Sequence, residues 1–160
     1  MNAPTKILFV TLASSWLTLA AFNAPAIADD AVSFGTGGYA SGLRTKEMMH
    51  KMDTNADGMV SKDEWTVFEE KMFDALDQDK SGSIDEKEFT ATEHENFAFA
   101  TAAYARGLMT KEMFMKIDAN GDGKISREEY LAYHRKIFDM LDKQKKGRIG
   151  FVDFVQQGVM

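Results

Sequence analysis

The sequence predicts an all-α protein of helix–loop–helix repeats: two duplicated units, each with two loops sharing a central helix, and short strands two residues wide between paired loops. Three observations predict it. Sliding the chain against itself by 65 residues makes about 24 of 52 positions identical between 39–90 and 104–155. Each unit carries two acid-rich loops of twelve residues with the same internal spacing, 53–64 and 77–88 in the first, 118–129 and 142–153 in the second. The twelve residues between the loops of each unit place apolar side chains at helical intervals.

From the start of the chain, Lys6 is the single charge before an apolar run over 7–22, and Ala26, Ile27 and Ala28 follow as small-x-small. Residues 1–28 are therefore expected to be a signal peptide cut ahead of Asp29. The run is sixteen residues and contains Thr11, Ser14, Ser15 and Thr18. A bilayer span needs roughly twenty apolar residues, so an uncleaved anchor is the weaker reading. The expectation is a periplasmic or secreted protein with no membrane contact once the signal is gone.

Removing 1–28 takes away one base and no acid, moving the formal net charge from −6 to −7. Nucleic acid is disfavoured as a partner, because a phosphate grip needs a clustered positive surface. The basic cluster present, Lys143 to Arg148, is short and sits inside an acidic-loop motif. With no cysteine, thiolate catalysis, disulfides and cysteine-rich zinc sites are excluded. Residues 29–44 read as a flexible N-terminal segment and 91–109 as a helical connector. The units are 45–90 and 110–160.

The first loop sets Asp53, Asn55, Asp57, Met59, Ser61 and Glu64 at positions one, three, five, seven, nine and twelve, with Gly58 at six. The second sets Asp77, Asp79, Ser81, Ser83, Asp85 and Glu88 in those places around Gly82, and the third Asp118, Asn120, Asp122, Lys124, Ser126 and Glu129 around Gly123. This is the spacing of an oxygen cage for a hard cation. Alternate side chains of a tight loop turn inward, position seven contributes its backbone carbonyl, and the glutamate at twelve closes the shell with both oxygens. Position six needs a backbone angle that only glycine adopts cheaply.

The fourth loop keeps Asp142, Gly147 and apolar Ile149 but has Gln144 at three, Lys146 at five, Gly150 at nine and Asp153 at twelve. Four bases, Lys143, Lys145, Lys146 and Arg148, outweigh its two acids. A dication is repelled there. It is expected to be a retained fold element that binds nothing.

The connecting segments carry Trp65, Phe68, Met72, Phe73 and Leu76 in one unit and Tyr130, Tyr133, Ile137, Phe138 and Leu141 in the other. Twelve helical residues span about 18 Å, so one helix is both the exit of one loop and the entrance of the next. Loops at opposite ends of one helix cannot lie side by side. Pairing is therefore expected between units, first loop with fourth and second with third, through Val60, Ile84, Ile125 and Ile149 at position eight.

On these loops the chain resembles EF-hand calcium-binding proteins from Lys46 onward. Its short loop spacing is similar to that of exported bacterial EF-hand proteins, with a more distant likeness to calmodulin-like proteins. The resemblance implies three bound calcium ions and modest affinity, about 10⁻⁴ to 10⁻³ M in exported modules. The lanthanide-selective lanmodulin family is also similar, but its members carry proline at position two, where this chain has Thr54, Gln78, Ala119 and Lys143. Calcium is the ion expected, and selective lanthanide binding is the weaker alternative.

Met48, Met49, Met52, Met72, Met109, Met113, Met115 and Met140 fall on the predicted helices. They suit either core packing or an adaptable surface for a protein target. His50, His94 and His134 stand in no metal or triad spacing, and no side chain set fills the roles of nucleophile and base. The expected function is non-enzymatic, a calcium sensor or buffer. A structural protein whose calcium is permanently bound is the alternative.

Overall fold

The computed structural model describes residues 37–91 and 98–155; the expected signal peptide and residues 29–36 and 92–97 lie outside the described residues. Element order is α1 (Gly37–Leu43), α2 (Lys46–Met52), β1 (Met59–Ser61), α3 (Lys62–Leu76), β2 (Ser83–Asp85), α4 (Glu86–Thr90), then α5 (Ala102–Leu108), α6 (Lys111–Ile117), β3 (Lys124–Ser126), α7 (Arg127–Leu141), β4 (Arg148–Gly150) and α8 (Phe151–Val155). The protein is mostly helical with small antiparallel strand pairs, as expected. The strands are three residues long rather than two.

Each long helix starts with a capping box. Ser61 accepts from the Glu64 amide while the Glu64 carboxylate accepts from Ser61, and Ser126 with Glu129 repeats this at α7. At 15 residues each, α3 and α7 run about 22 Å. They cross at the centre of the molecule. Trp65 meets Phe138 edge-on at 5.6 Å, and Phe73 meets Tyr130 in the same way at 5.7 Å. Those two contacts exchange under the 65-residue shift, so a pseudo-twofold axis passes between the helices. The exposed ion pairs Lys62 with Asp139 and Arg127 with Asp74 obey the same symmetry.

The loops pair across the units. β1 lies antiparallel to β4, with Val60 opposite Ile149, and β2 to β3, with Ile84 opposite Ile125. All four of these side chains are fully buried. The pairing follows from the shared helix: strands at the two ends of α3 find partners only at the two ends of α7.

Residues 29–44, expected to be flexible, hold the helix α1, whose Tyr39 and Leu43 are buried. α1 crosses α5 through glycines. A Cβ on Gly42 would come within 2.6 Å of the Ala103 and Tyr104 backbone, and one on Gly107 within 2.3 Å of Gly38 and Tyr39. The glycines that suggested mobility instead permit backbone to touch backbone. In the connector 91–109, the described helix is α5.

The core joins both units. Met48, Met49, Met52, Met72, Met109 and Met113 are buried in it, so they do not form a partner surface in this conformation. Met115 is exposed and Met140 is partly buried against the core. No helix among the described residues is long and apolar enough to cross a membrane.

Candidate metal centre

All four loops share one backbone. Position four, at Ala56, Lys80, Gly121 and Lys145, and position six, at Gly58, Gly82, Gly123 and Gly147, have positive φ. Three side-chain residues thus accept the left-handed region at position four, which costs of order 1 kcal/mol each. The offsetting bonds come from the first aspartate. Asp53 accepts from the amides of Asp57 (3.2 Å) and Gly58 (2.9 Å), and Asp77 from Ser81 and Gly82 at 2.9 Å each. Asp118 accepts from Asp122 (3.2 Å) and Gly123 (3.0 Å). Asp142 does the same for Lys146 and Gly147 in the fourth loop. This aspartate therefore shapes the loop whether or not the loop is a site.

The closing acid sits at the start of the following helix or in its first turn. Glu64 Oε1 accepts from Thr54 N and Oγ1, both at 2.9 Å, and Asn55 N at 3.2 Å, while Oε2 accepts from Ser61 N and Oγ. Burial works to raise this carboxyl, but the bonds from Ser61, Thr54 and Asn55 outweigh it and bring it down to about 2. Glu129 is likewise lowered by the Ser126 amide and hydroxyl, which together outweigh burial. In the second loop Glu88 accepts from Asp79 N and Asp85 N. In the fourth, Asp153 accepts only from Gly150 N, at 2.9 Å, among the described residues.

Positions three and five fill in the cage. Asn55 accepts from Asp57 N (2.8 Å) and Asn120 from Asp122 N (2.7 Å), each turning a side-chain oxygen into its loop. Asp79 accepts from Ser81 N at 2.9 Å, and hydrogen bonds from the Ser81 hydroxyl and amide hold its carboxyl below the usual range. The Ser81 hydroxyl also lies 2.9 Å from the Ser83 carbonyl oxygen, bringing positions five and seven together. Position seven, at Met59, Ser83 and Lys124, opens β1, β2 and β3, and position nine, at Ser61, Asp85 and Ser126, ends them.

In the second loop, carboxylate oxygens of Asp77, Asp79 and Glu88 lie within 4.8 Å of one another. Carboxylates gathered this closely repel one another when empty, and an all-oxygen donor set suits a hard divalent ion. Family models match the chain over two stretches: the EF-hand domain pair over residues 69–135 and the EF hand over residues 45–68.

The chain is an EF-hand protein.

EF-hand membership implies calcium binding. The domain-pair match spans the second and third loops, the two that share the β2–β3 ribbon. No curated protein matches the chain. The loops are what spacing alone locates. What spacing missed is a polar cluster at the α3–α7 crossing, where Glu69 faces His134. A signal for it was present. Glu69 lies four residues from both Trp65 and Phe73, and His134 four from both Tyr130 and Phe138, so each ionisable group occupies the apolar face of its helix.

Proposed function

We propose that the protein is an exported calcium buffer that takes three ions, one each in loops 53–64, 77–88 and 118–129. The reading is carried by the shared helix. In a sensor, the helices entering and leaving a loop swing apart to expose an apolar groove. Here α3 leaves the first loop and enters the second, and its middle is buried against α7 through Trp65, Glu69 and Phe73. Swinging one hand open would drag the other loop and break the core. The buried methionines agree with a molecule that stays closed.

Charge makes the two ends unequal. The β2–β3 end joins two acidic loops, whereas the β1–β4 end sets the first loop beside the basic fourth, with Arg148 directly opposite the ligand Ser61. The first site is accordingly the weakest of the three, and the fourth loop serves as its strand partner without an ion.

Titration calorimetry with calcium, magnesium and lanthanum tests this, together with an apolar dye. Three calcium ions and unchanged dye binding are expected. A stoichiometry of four would refute the inert fourth loop, and dye uptake on calcium addition would make the protein a sensor. An apo form that is unfolded would favour permanently bound structural calcium. Lanthanum preferred by many orders of magnitude would overturn the choice of ion.

A further inference from the structure

Glu69 and His134 are the same position in the two repeats, and both are buried, at 0% and 1% exposure. Glu69 Oε2 lies 3.5 Å from His134 Nε2. On the far side of the ring, Nδ1 is 2.9 Å from the carbonyl oxygen of Tyr130. A carbonyl only accepts, so Nδ1 carries hydrogen and Nε2 is the nitrogen left to face Glu69. The hydroxyls of Tyr104 and Tyr130 donate to the Glu69 carboxyl at 3.2 Å. The pair is faced by Tyr39 from α1, Tyr104 from α5, and Tyr130 and Tyr133 from α7. Lys62 of α3 and Arg135 of α7 line the narrow cleft that reaches it.

His134 Nε2 has no hydrogen-bond partner among the described residues and faces the Glu69 carboxyl, so the pair is neutral when its two groups carry one proton between them. A carboxylic acid beside a neutral imidazole and a carboxylate beside an imidazolium are both net neutral. A second proton leaves a buried imidazolium with no counter-charge; loss of the first leaves a buried carboxylate with only the Tyr104 and Tyr130 hydroxyls and no counter-charge. Either is costly in an apolar interior.

We propose that the Glu69–His134 pair is a one-proton lock between the two repeats, and that losing this proton loosens α3 against α7 and weakens calcium binding at the loops those helices close. The calcium clause rests on the ion-binding reading above; the lock itself does not. α3 carries Glu64 at its start and leads into Asp77 at its end, and α7 relates to Glu129 and Asp142 in the same way. A shift at the crossing therefore moves proposed ligands at both ends of α3 and at the start of α7, together with the strand partner of the first loop.

Burial raises the Glu69 carboxyl to about 8 against the lowering bonds from Tyr104 and Tyr130, and burial lowers His134 to about 4 against the Tyr130 carbonyl. The folded pair keeps one proton across that range. The unfolded groups, at 4.5 and 6.5, carry one proton between those values and none above. The pair's stabilisation is thus level between pH 4.5 and 6.5 and falls as pH rises from 6.5 to 8. Below 4.5 the unfolded pair binds two protons, and stability falls again towards 4.

The test uses the full chain without calcium, unfolded by urea at pH 6 and pH 8.5. The wild type should lose midpoint on going to pH 8.5, and Glu69→Gln, which cannot ionise, should lose distinctly less. Equal losses overturn the lock. Should Glu69→Gln not fold, ¹⁵N spectra of the wild type decide: His134 should stay an Nδ1–H imidazole from pH 6 to 8, and titration near 6.5 overturns the proposal. Calcium titration at the same two pH values should show affinity falling about threefold or more in the wild type; affinity unchanged by pH overturns the coupling. Failure to bind calcium at either pH, with the urea difference intact, overturns the ion-binding reading and leaves the lock standing.

Discussion

The indole nitrogen of Trp65 donates a 3.1 Å hydrogen bond to the carbonyl oxygen of His134, both fully inside the protein. The bond ties α3 to α7 one residue beyond Glu64, so a single side chain links the closing acid of the first loop to the centre of the fold. Trp65→Phe keeps most of the packing on Phe138 but leaves that carbonyl without its indole donor. A loss of about 1–2 kcal/mol is expected, measured as a lower urea midpoint. In a Trp16→Phe background Trp65 is the sole tryptophan, and its fluorescence should change when the first loop fills.

The α1–α5 crossing tolerates no side chain at its two glycines. Gly107→Ala would place a carbon 2.3 Å from the backbone of Gly38 and Tyr39. The helix-propensity gain of about 1 kcal/mol is outweighed by overpacking of roughly 1–3 kcal/mol or more. Thermal unfolding should show a lower midpoint for Gly107→Ala and for Gly42→Ala. A rise in either would mean that the helices stand further apart.

Glu64→Gln should remove one calcium from the stoichiometry and leave the other two loops filled, as read by calorimetry. In the calcium-free chain, the low-lying carboxyls of Glu64 and Glu129 contribute stability that is present above about pH 4.5. It is lost as pH falls towards about 2 for Glu64. Acid titration of the unfolding midpoint should show that loss flattened in Glu64→Gln.

The fourth loop already has the backbone of a site, with Asp142 bonded to Lys146 N and Gly147 N. What it lacks is charge and reach. Lys146→Asp, Gly150→Asp and Asp153→Glu together should raise the calcium stoichiometry by one. Arg148→Glu alone should tighten the first loop several-fold at low salt, with the gain shrinking as ionic strength rises. A gain indifferent to salt would point to a local rearrangement.

The loops and the long helices were legible because their constraints are local. A glycine at position six and a closing glutamate are dictated within twelve residues, and the shared helix follows from the distance between loops. Cross-pairing was also legible, since Val60 and Ile84 cannot meet across the length of α3. α1 was not, because the glycines of GGYASGL favour disorder in isolation and become useful only against α5. The matching Gly42-Leu43 and Gly107-Leu108 held that information in the repeat. Glu69 and His134 were missed because charged side chains within a helix read as solvent-facing unless their spacing to Trp65, Phe73, Tyr130 and Phe138 is followed.

The ribbons between loops have a consequence for how such a chain could arise. Each takes one strand from each repeat, so a single repeat leaves both its strands without a mate, and two separate identical copies would be needed to close the structure. At the axis of that assembly every residue meets its own likeness. Tyr39 and Tyr104 still do, their rings 5.3 Å apart. Glutamate cannot do so cheaply, since two buried carboxylates repel, and neither can a pair of imidazoles once one is charged. Joining the copies in one chain frees the two axial positions to differ, and Glu69 opposite His134 is a pairing open only to a molecule whose halves are no longer identical.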